Sequence, residues 1–134
     1  MDTRPAAYVV IVDDGRLLLS HGTDGSGWQL PGGGMEADET PEQTAVRELR
    51  EETGFEVELD ALLGVDVFYI SAEERLSGSG PLRSLRIVYR GHVAGGEQRA
   101  EADGSTDGVA WFPLDEVARL PRVGLIDSAL AMLH

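Results

Sequence analysis

A triple glycine, Leu30-Pro31-Gly32-Gly33-Gly34, followed by a helix whose two ends are both written into the local sequence, constrains this chain more than any other feature. Thr40 is a good N-cap, Pro41 suits the first helical position, and Gln43 stands three residues after Thr40, at capping-box spacing. Gly54 supplies a left-handed stop, so the sequence predicts a helix over 41–53. Ala45, Val46 and Leu49 recur at helical spacing and mark the face turned toward a core. The same helix carries Glu48, Glu51 and Glu52 at i, i+3 and i+4, which puts three carboxylates on one face. Like charges so placed repel by a few tenths of a kcal/mol per pair, and Arg47 to Glu51 with Glu48 to Arg50 offset only part of it.

Two readings compete. Taken alone, a Glu-rich helix is a solvated acidic face and three glycines are a turn. Taken together, the glycines let backbone approach a ligand closely and present carbonyls to a metal or amides to a phosphate. Carboxylates at this spacing suit a hard cation such as Mg2+ or Mn2+.

Charge sharpens the choice. The 134 residues carry 24 acids against 11 basic residues, a net charge of −13, and every basic residue is an Arg with no run among them. A protein that tracks a nucleic-acid backbone shows basic stripes, so no nucleic-acid partner is expected. Residues 33–55 hold seven acids and two arginines, a local excess that a cation site explains. The absence of cysteine excludes thiol catalysis, zinc-thiolate sites and disulfides, and favours the cytoplasm. No leader-like segment opens the chain and no apolar run approaches a membrane span, so no membrane is expected. Length and composition suit one domain over 1–134, with no repeats and only short loop-like stretches at 22–27, 77–81 and 95–108.

Around the helix, the apolar run at 7–12, the turn signal Asp13-Asp14-Gly15 and the resumption at 16–20 predict a hairpin, with a loop longer than two residues. Further strands are expected at 27–30, 56–70 with a break at Gly64, 84–93 and 109–112. A short helix opens at 113–117 and another closes the chain at 126–133. Strands interleaved with helices predict an α/β or α+β layered domain.

Residues 33–55, GGMEADETPEQTAVRELREETGF, resemble the Nudix box of the MutT-like hydrolases: Gly, five residues, Glu, seven residues, then Arg-Glu-apolar-any-Glu-Glu-any-Gly-apolar. Gly33, Glu39, Arg47, Glu48, Leu49, Glu51, Glu52, Gly54 and Phe55 fill every specified position. The box covers about a sixth of the chain, and the flanks, with Trp28-Gln29-Leu30-Pro31 ahead and Trp111-Phe112-Pro113-Leu114 behind, also look like this family. The resemblance implies a mixed β-sheet between α-helices, a loop-helix-loop catalytic motif, and a Mg2+- or Mn2+-dependent pyrophosphohydrolase. Its substrate would be a small molecule, a nucleoside diphosphate linked to another moiety such as a further phosphate or a sugar. The same resemblance admits a homodimer, and it leaves as alternative a non-catalytic Nudix-fold domain that senses a nucleotide; such domains often lose box glutamates, and here all are kept.

Carried over residue by residue, it makes Glu48 and Glu52 the principal metal ligands, joined by the Gly32 carbonyl. Glu51 becomes a further ligand or the group orienting the attacking water. Arg47 would hold a glutamate by an ion pair, and Glu39 would stabilise the loop by accepting amides or an Arg. The general base is a box glutamate or a loop acid before Trp111, for which Glu101 and Asp103 are the candidates. Phe68, Tyr69, Tyr89 and Trp28 could stack on a base, and Arg4, Arg83, Arg86 and Arg90 could reach a phosphate, but strand aromatics usually belong to a core and alternate arginines usually face solvent. The substrate-binding residues stay unassigned, and the histidines have no partner spacing.

Overall fold

Alternation along the first strands decides how the layers form. The computed structural model describes residues 2–74, 80–102 and 104–133. It begins with β1 (Asp2–Val10), β2 (Val12–Asp13) and β3 (Arg16–Gly22). Ala7, Val9 and Ile11 join Leu18 in one apolar cluster, while Val10 joins Leu17 and Leu19 in a second. Successive side chains of a strand point to opposite faces, so an unbroken apolar run serves two cores at once.

The remaining strands are β4 (Trp28–Gln29), β5 (Gly32–Gly34), β6 (Phe55–Ile70), β7 (Leu82–Gly96) and β8 (Thr106–Pro113). One sheet runs β5-β1-β7-β6 and is mixed, because β1 and β7 are parallel and its other neighbours antiparallel. The second is antiparallel and runs β2-β3-β4, with β8 also paired to β3. The helix α1 (Pro41–Thr53) covers the first cluster with Ala45 and Leu49. On the other side, α2 (Gly124–Ala131) and a 3-10 helix at Leu114–Arg119 cover the second with Leu125, Ile126, Ala129 and Val117. The α+β arrangement with a mixed sheet between helices is as expected, and the antiparallel sheet completes it. Among the described residues no helix is long and apolar enough to cross a membrane.

Three local expectations are corrected. The hairpin loop is two residues, not longer: Asp13 pairs with Arg16, and Asp14 (φ 51°) and Gly15 (φ 73°) both take left-handed conformations, as a tight turn between twisted strands requires. The strand expected at 7–12 is interrupted at Ile11, since β1 stays in the mixed sheet while β2 pairs with β3. The glycines read as a loop are a strand: β5 pairs antiparallel with Ala6 to Tyr8, and the flanking bonds Val9 N to Pro31 O and Met35 N to Pro5 O fix it there. A neighbouring strand supplies the hydrogen bonds that a glycine run lacks by itself.

Boundaries move elsewhere. The last two strands extend beyond the expected 84–93 and 109–112, and the closing helix starts two residues earlier than expected. In β6 the expected irregularity at Gly64 is present, one of three register shifts along its pairing with β7.

Candidate active site

Both ends of α1 are fixed as the sequence dictates. Thr40 Oγ1 accepts from the Gln43 amide at 3.2 Å, Gln43 Oε1 accepts from the Thr40 amide at 2.9 Å, and Gly54 (φ 81°) returns its amide to Arg50 O at 2.9 Å. A β-carbon at Gly54 would lie 2.1 Å from the Glu97 carbonyl, so the glycine also admits the returning chain, whose Arg99 amide donates to Thr53 O at 2.7 Å.

Arg47 is the hub of the acidic face. Its Nε and Nη2 donate to the two oxygens of Glu39 at 2.6 and 2.8 Å, its Nη1 to Glu48 at 3.0 Å, and its Nη2 to the Gly34 carbonyl at 3.3 Å. Glu39 also accepts from the Glu36 amide and from Thr44 Oγ1, each at 2.9 Å. The hydrogen bonds from Arg47 chiefly hold the Glu39 carboxyl down at about 2, and the same partners push the guanidinium up. The expected compensation of Glu48 by Arg50 does not form: residues two apart on a helix diverge, and Arg50 instead lies 3.8 Å from Glu56.

The three helix glutamates act on one another through their charges and differ in exposure. Glu52 is 2% exposed and accepts the Gly32 amide with both carboxylate oxygens at 3.3 Å. Burial pushes its carboxyl up to about 9, against the Gly32 hydrogen bond and with the charges of Glu48, Glu101 and Glu51 adding to the rise. Glu48, with its side chain 19% exposed, is also raised by burial, against its pair with Arg47. Glu51 is half-exposed, 3.4 Å from Arg47. A β-carbon at Gly33 would fall 2.8 Å from the Glu48 carboxyl carbon, so the bare backbone of β5 is what allows Glu48 to stand where it does.

Glu101 is near enough for its charge to act on both Glu48 and Glu52, and its carboxylate accepts from Thr106 Oγ1 at 3.0 Å. Asp103, the other loop candidate, and residues 77–79 lie outside the described residues. Of the aromatics, Tyr89 is buried under α1 and donates to Glu42 at 2.8 Å, while Trp28 packs edge-on between His21 and Phe112. Arg86 pairs with Asp66 and Arg83 with Thr3. His21 pairs with Asp107, and His92 sits between Asp60 and Glu58; these partners come across strands, so no local spacing announces them. Tyr8 went unnoticed as a site residue: it lies in register with Gly32, and burial raises its hydroxyl despite Arg86, with Glu52 and Glu48 adding to the rise.

The model of the NUDIX domain family matches residues 2–131. The chain belongs to the Nudix hydrolase family. It is 38% identical over 112 residues to a MutT-like protein of Streptomyces ambofaciens, an alignment covering 84% of this chain and 64% of that one. It is 45% identical over 62 residues to an RNA pyrophosphohydrolase of Xanthomonas campestris, covering 46% of this chain and 30% of that one. The chain thus spans less than two-thirds of the length of these relatives. The crystal structure of a MutT NUDIX hydrolase from Burkholderia pseudomallei superposes over 100% of both chains with a TM-score of 0.83 at 29% identity.

Nudix hydrolases generally use a divalent metal, and the donor chemistry here suits one. Among the described residues Glu52 makes no ion pair, and no three His, Cys, Asp or Glu side chains gather into one metal-ready cluster. A buried carboxylate without a counter-charge is costly as an anion, and a hard cation beside it removes that cost. Mg2+ is usually bound by one or two protein carboxylates and keeps several waters, so a site for it does not require a full protein cage.

Proposed function

We propose that this Nudix domain is a Mg2+- or Mn2+-dependent hydrolase that cleaves the pyrophosphate linkage of a nucleoside diphosphate joined to another moiety. Nucleoside triphosphates and nucleotide sugars are the substrate class. The observation that carries the reading is Glu52, buried beside Glu48 at the edge of a bare glycine strand, with no cation paired to it among the described residues. The names of the relatives, MutT-like protein and RNA pyrophosphohydrolase, point the same way.

In this reading Glu48 and Glu52 hold the cation together with the Gly32 carbonyl, and Glu51 is a further ligand or orients the attacking water. A divalent ion held there would neutralise phosphate charge and lower the pKa of a coordinated water. Arg47 keeps the Glu48 carboxylate aimed at the glycine strand, and Glu39 locks Arg47 from behind through two short hydrogen bonds. Glu101, whose charge acts on both Glu48 and Glu52 and whose carboxylate is steadied by Thr106, is the candidate to accept the proton of the attacking water.

Release of phosphate or pyrophosphate from a panel of nucleoside triphosphates and nucleotide sugars, with and without chelator, tests the proposal. Chelator-sensitive turnover of any member supports it. Silence across the panel with both Mg2+ and Mn2+ overturns it in favour of a nucleotide sensor.

A further inference from the structure

The outer edge of β6 is protected along one half and bare along the other. Among the described residues β7 is its only strand neighbour, and a strand so placed offers its outward N–H and C=O groups to a further strand. Along the first half, Glu56, Glu58 and Asp60 and three register shifts break the line of that edge. Charges and bulges of this kind keep an edge from pairing. From Gly64 to Ile70 both devices stop: the stretch pairs with Leu82 to Val88 without a shift, and Asp66 is its one charged residue. Val65, Val67, Phe68 and Tyr69 are 51, 42, 48 and 60% exposed, so the bare half is also apolar.

This stretch is complementary to itself. Its midpoint is Val67, and a two-fold axis there lays it antiparallel to a second copy, with Val67 opposite Val67, Val65 opposite Tyr69 and Asp66 opposite Phe68. Residues paired across strands share a face. On the face of Ile87, the register partner of Val65, the contact is valine on valine and valine on tyrosine, pairings that stabilise a sheet. On the other face each Asp66 meets the Phe68 ring of the second copy. That ring carries its own Arg86, whose guanidinium carbon stands 5.0 Å from the ring centroid. Asp66 already accepts from Arg86 Nε of its own chain at 2.9 Å, so the pairing brings it a second guanidinium.

We propose that residues 64–70 of β6 are a self-association surface, through which two copies of this chain join their mixed sheets edge to edge about a two-fold axis at Val67. Charge selects this place. The chain carries −13, so most contacts between two copies set acid against acid, whereas residues 64–70 and 82–88 hold one acid and two arginines. The symmetry is that of an isologous interface, in which one patch serves both sides. The acids and register shifts ahead of Gly64 then bound the contact, because a slipped pairing would bring a second copy against Asp60 and Glu58.

Sedimentation of wild type and V67D, with oxidative cross-linking of single-cysteine variants, tests the proposal. The chain has no cysteine of its own, so an introduced thiol reports one position. The two-fold sets the α-carbons of the two residues 67 about 5 Å apart, within disulfide reach, and those of the two residues 62 about 30 Å apart. Wild type should form a dimer as its concentration rises toward about 1 mM, in keeping with the small area of a one-strand interface. V67D sets two carboxylates face to face and should weaken association about tenfold or more. V67C should cross-link at least about tenfold faster than L62C, although Leu62 is the more exposed of the two. Val67 stands exposed on an edge strand, so V67D should fold, and the two cysteine variants decide if it does not. The proposal is overturned if wild type stays monomeric, even where its edge takes up an unrelated extended peptide, if V67C and L62C cross-link alike, or if V67D associates as strongly as wild type. None of these readouts depends on hydrolysis.

Discussion

Both carboxylate oxygens of Glu52 lie 3.3 Å from the amide nitrogen of Gly32, tying the last turn of the Nudix helix to the glycine strand. Glutamine has the same volume and keeps a carbonyl acceptor for that amide, but it cannot provide an anion to a cation. E52Q should therefore fold with an unchanged or higher melting temperature without metal, and lose turnover by at least about 100-fold. Thermal melts beside a pyrophosphate-release assay check both halves, and a variant that turns over normally removes Glu52 from the site.

The glycine strand offers a matched pair of substitutions. G33A puts a β-carbon within 3.0 Å of the Glu48 carboxylate, whereas the space around Gly34 is open. Turnover should fall about tenfold or more in G33A, with weaker metal binding, and stay near wild type in G34A. Steady-state kinetics over a Mg2+ titration make the comparison, and equal effects at the two positions would contradict a close approach of Glu48.

Arg47 serves four acceptors with a planar fork: Glu39, Glu48, Glu51 and the Gly34 carbonyl. Lysine keeps the charge but not the fork. If Arg47 positions a metal ligand, as proposed, R47K should lower turnover about tenfold and leave KM for the nucleotide within about twofold. A change confined to KM would place Arg47 on the substrate instead.

Acidity provides a further check. Glu52, raised to about 9 by burial, keeps its proton in the folded metal-free protein at neutral pH, while the unfolded chain releases it near about 4.3. The folded state binds the extra proton between those values, so this group's contribution to stability falls as pH rises through that window. Glu39 behaves oppositely: held near about 2, it contributes stability above the unfolded value that is lost as pH falls toward 2. Melts across pH should show a decline for wild type, relative to E52Q, between about pH 5 and pH 9, and the decline should shrink with saturating Mg2+ as metal displaces the proton. Coincident wild-type and E52Q profiles would mean that the buried carboxyl is ionised.

What the sequence disclosed and what it hid divide along physical lines. The helix at 41–53 was legible to the residue because its cap, first-turn proline and left-handed stop are all local. Arg47, Glu39 and Glu48 were legible as an interacting set because they lie within one loop-helix unit. The glycine strand was not, since its hydrogen bonds come from β1, more than twenty residues away. The split of an apolar run between two sheets at Ile11 was hidden for the same reason. The roles of the aromatics depend on which strand face each occupies: Tyr89 packs under the helix, whereas Phe68 is exposed with Arg86 over its ring, a distinction that composition cannot make.

The central claim is that Glu48 and Glu52 hold a catalytic divalent cation, and phosphorus NMR of a nucleoside triphosphate incubated with the protein tests it most directly. Hydrolysis should proceed with Mg2+, stop on addition of EDTA, resume when Mg2+ is returned in excess, and be absent with E52Q. Hydrolysis that continues in EDTA, or an E52Q protein that matches wild type, contradicts the assignment.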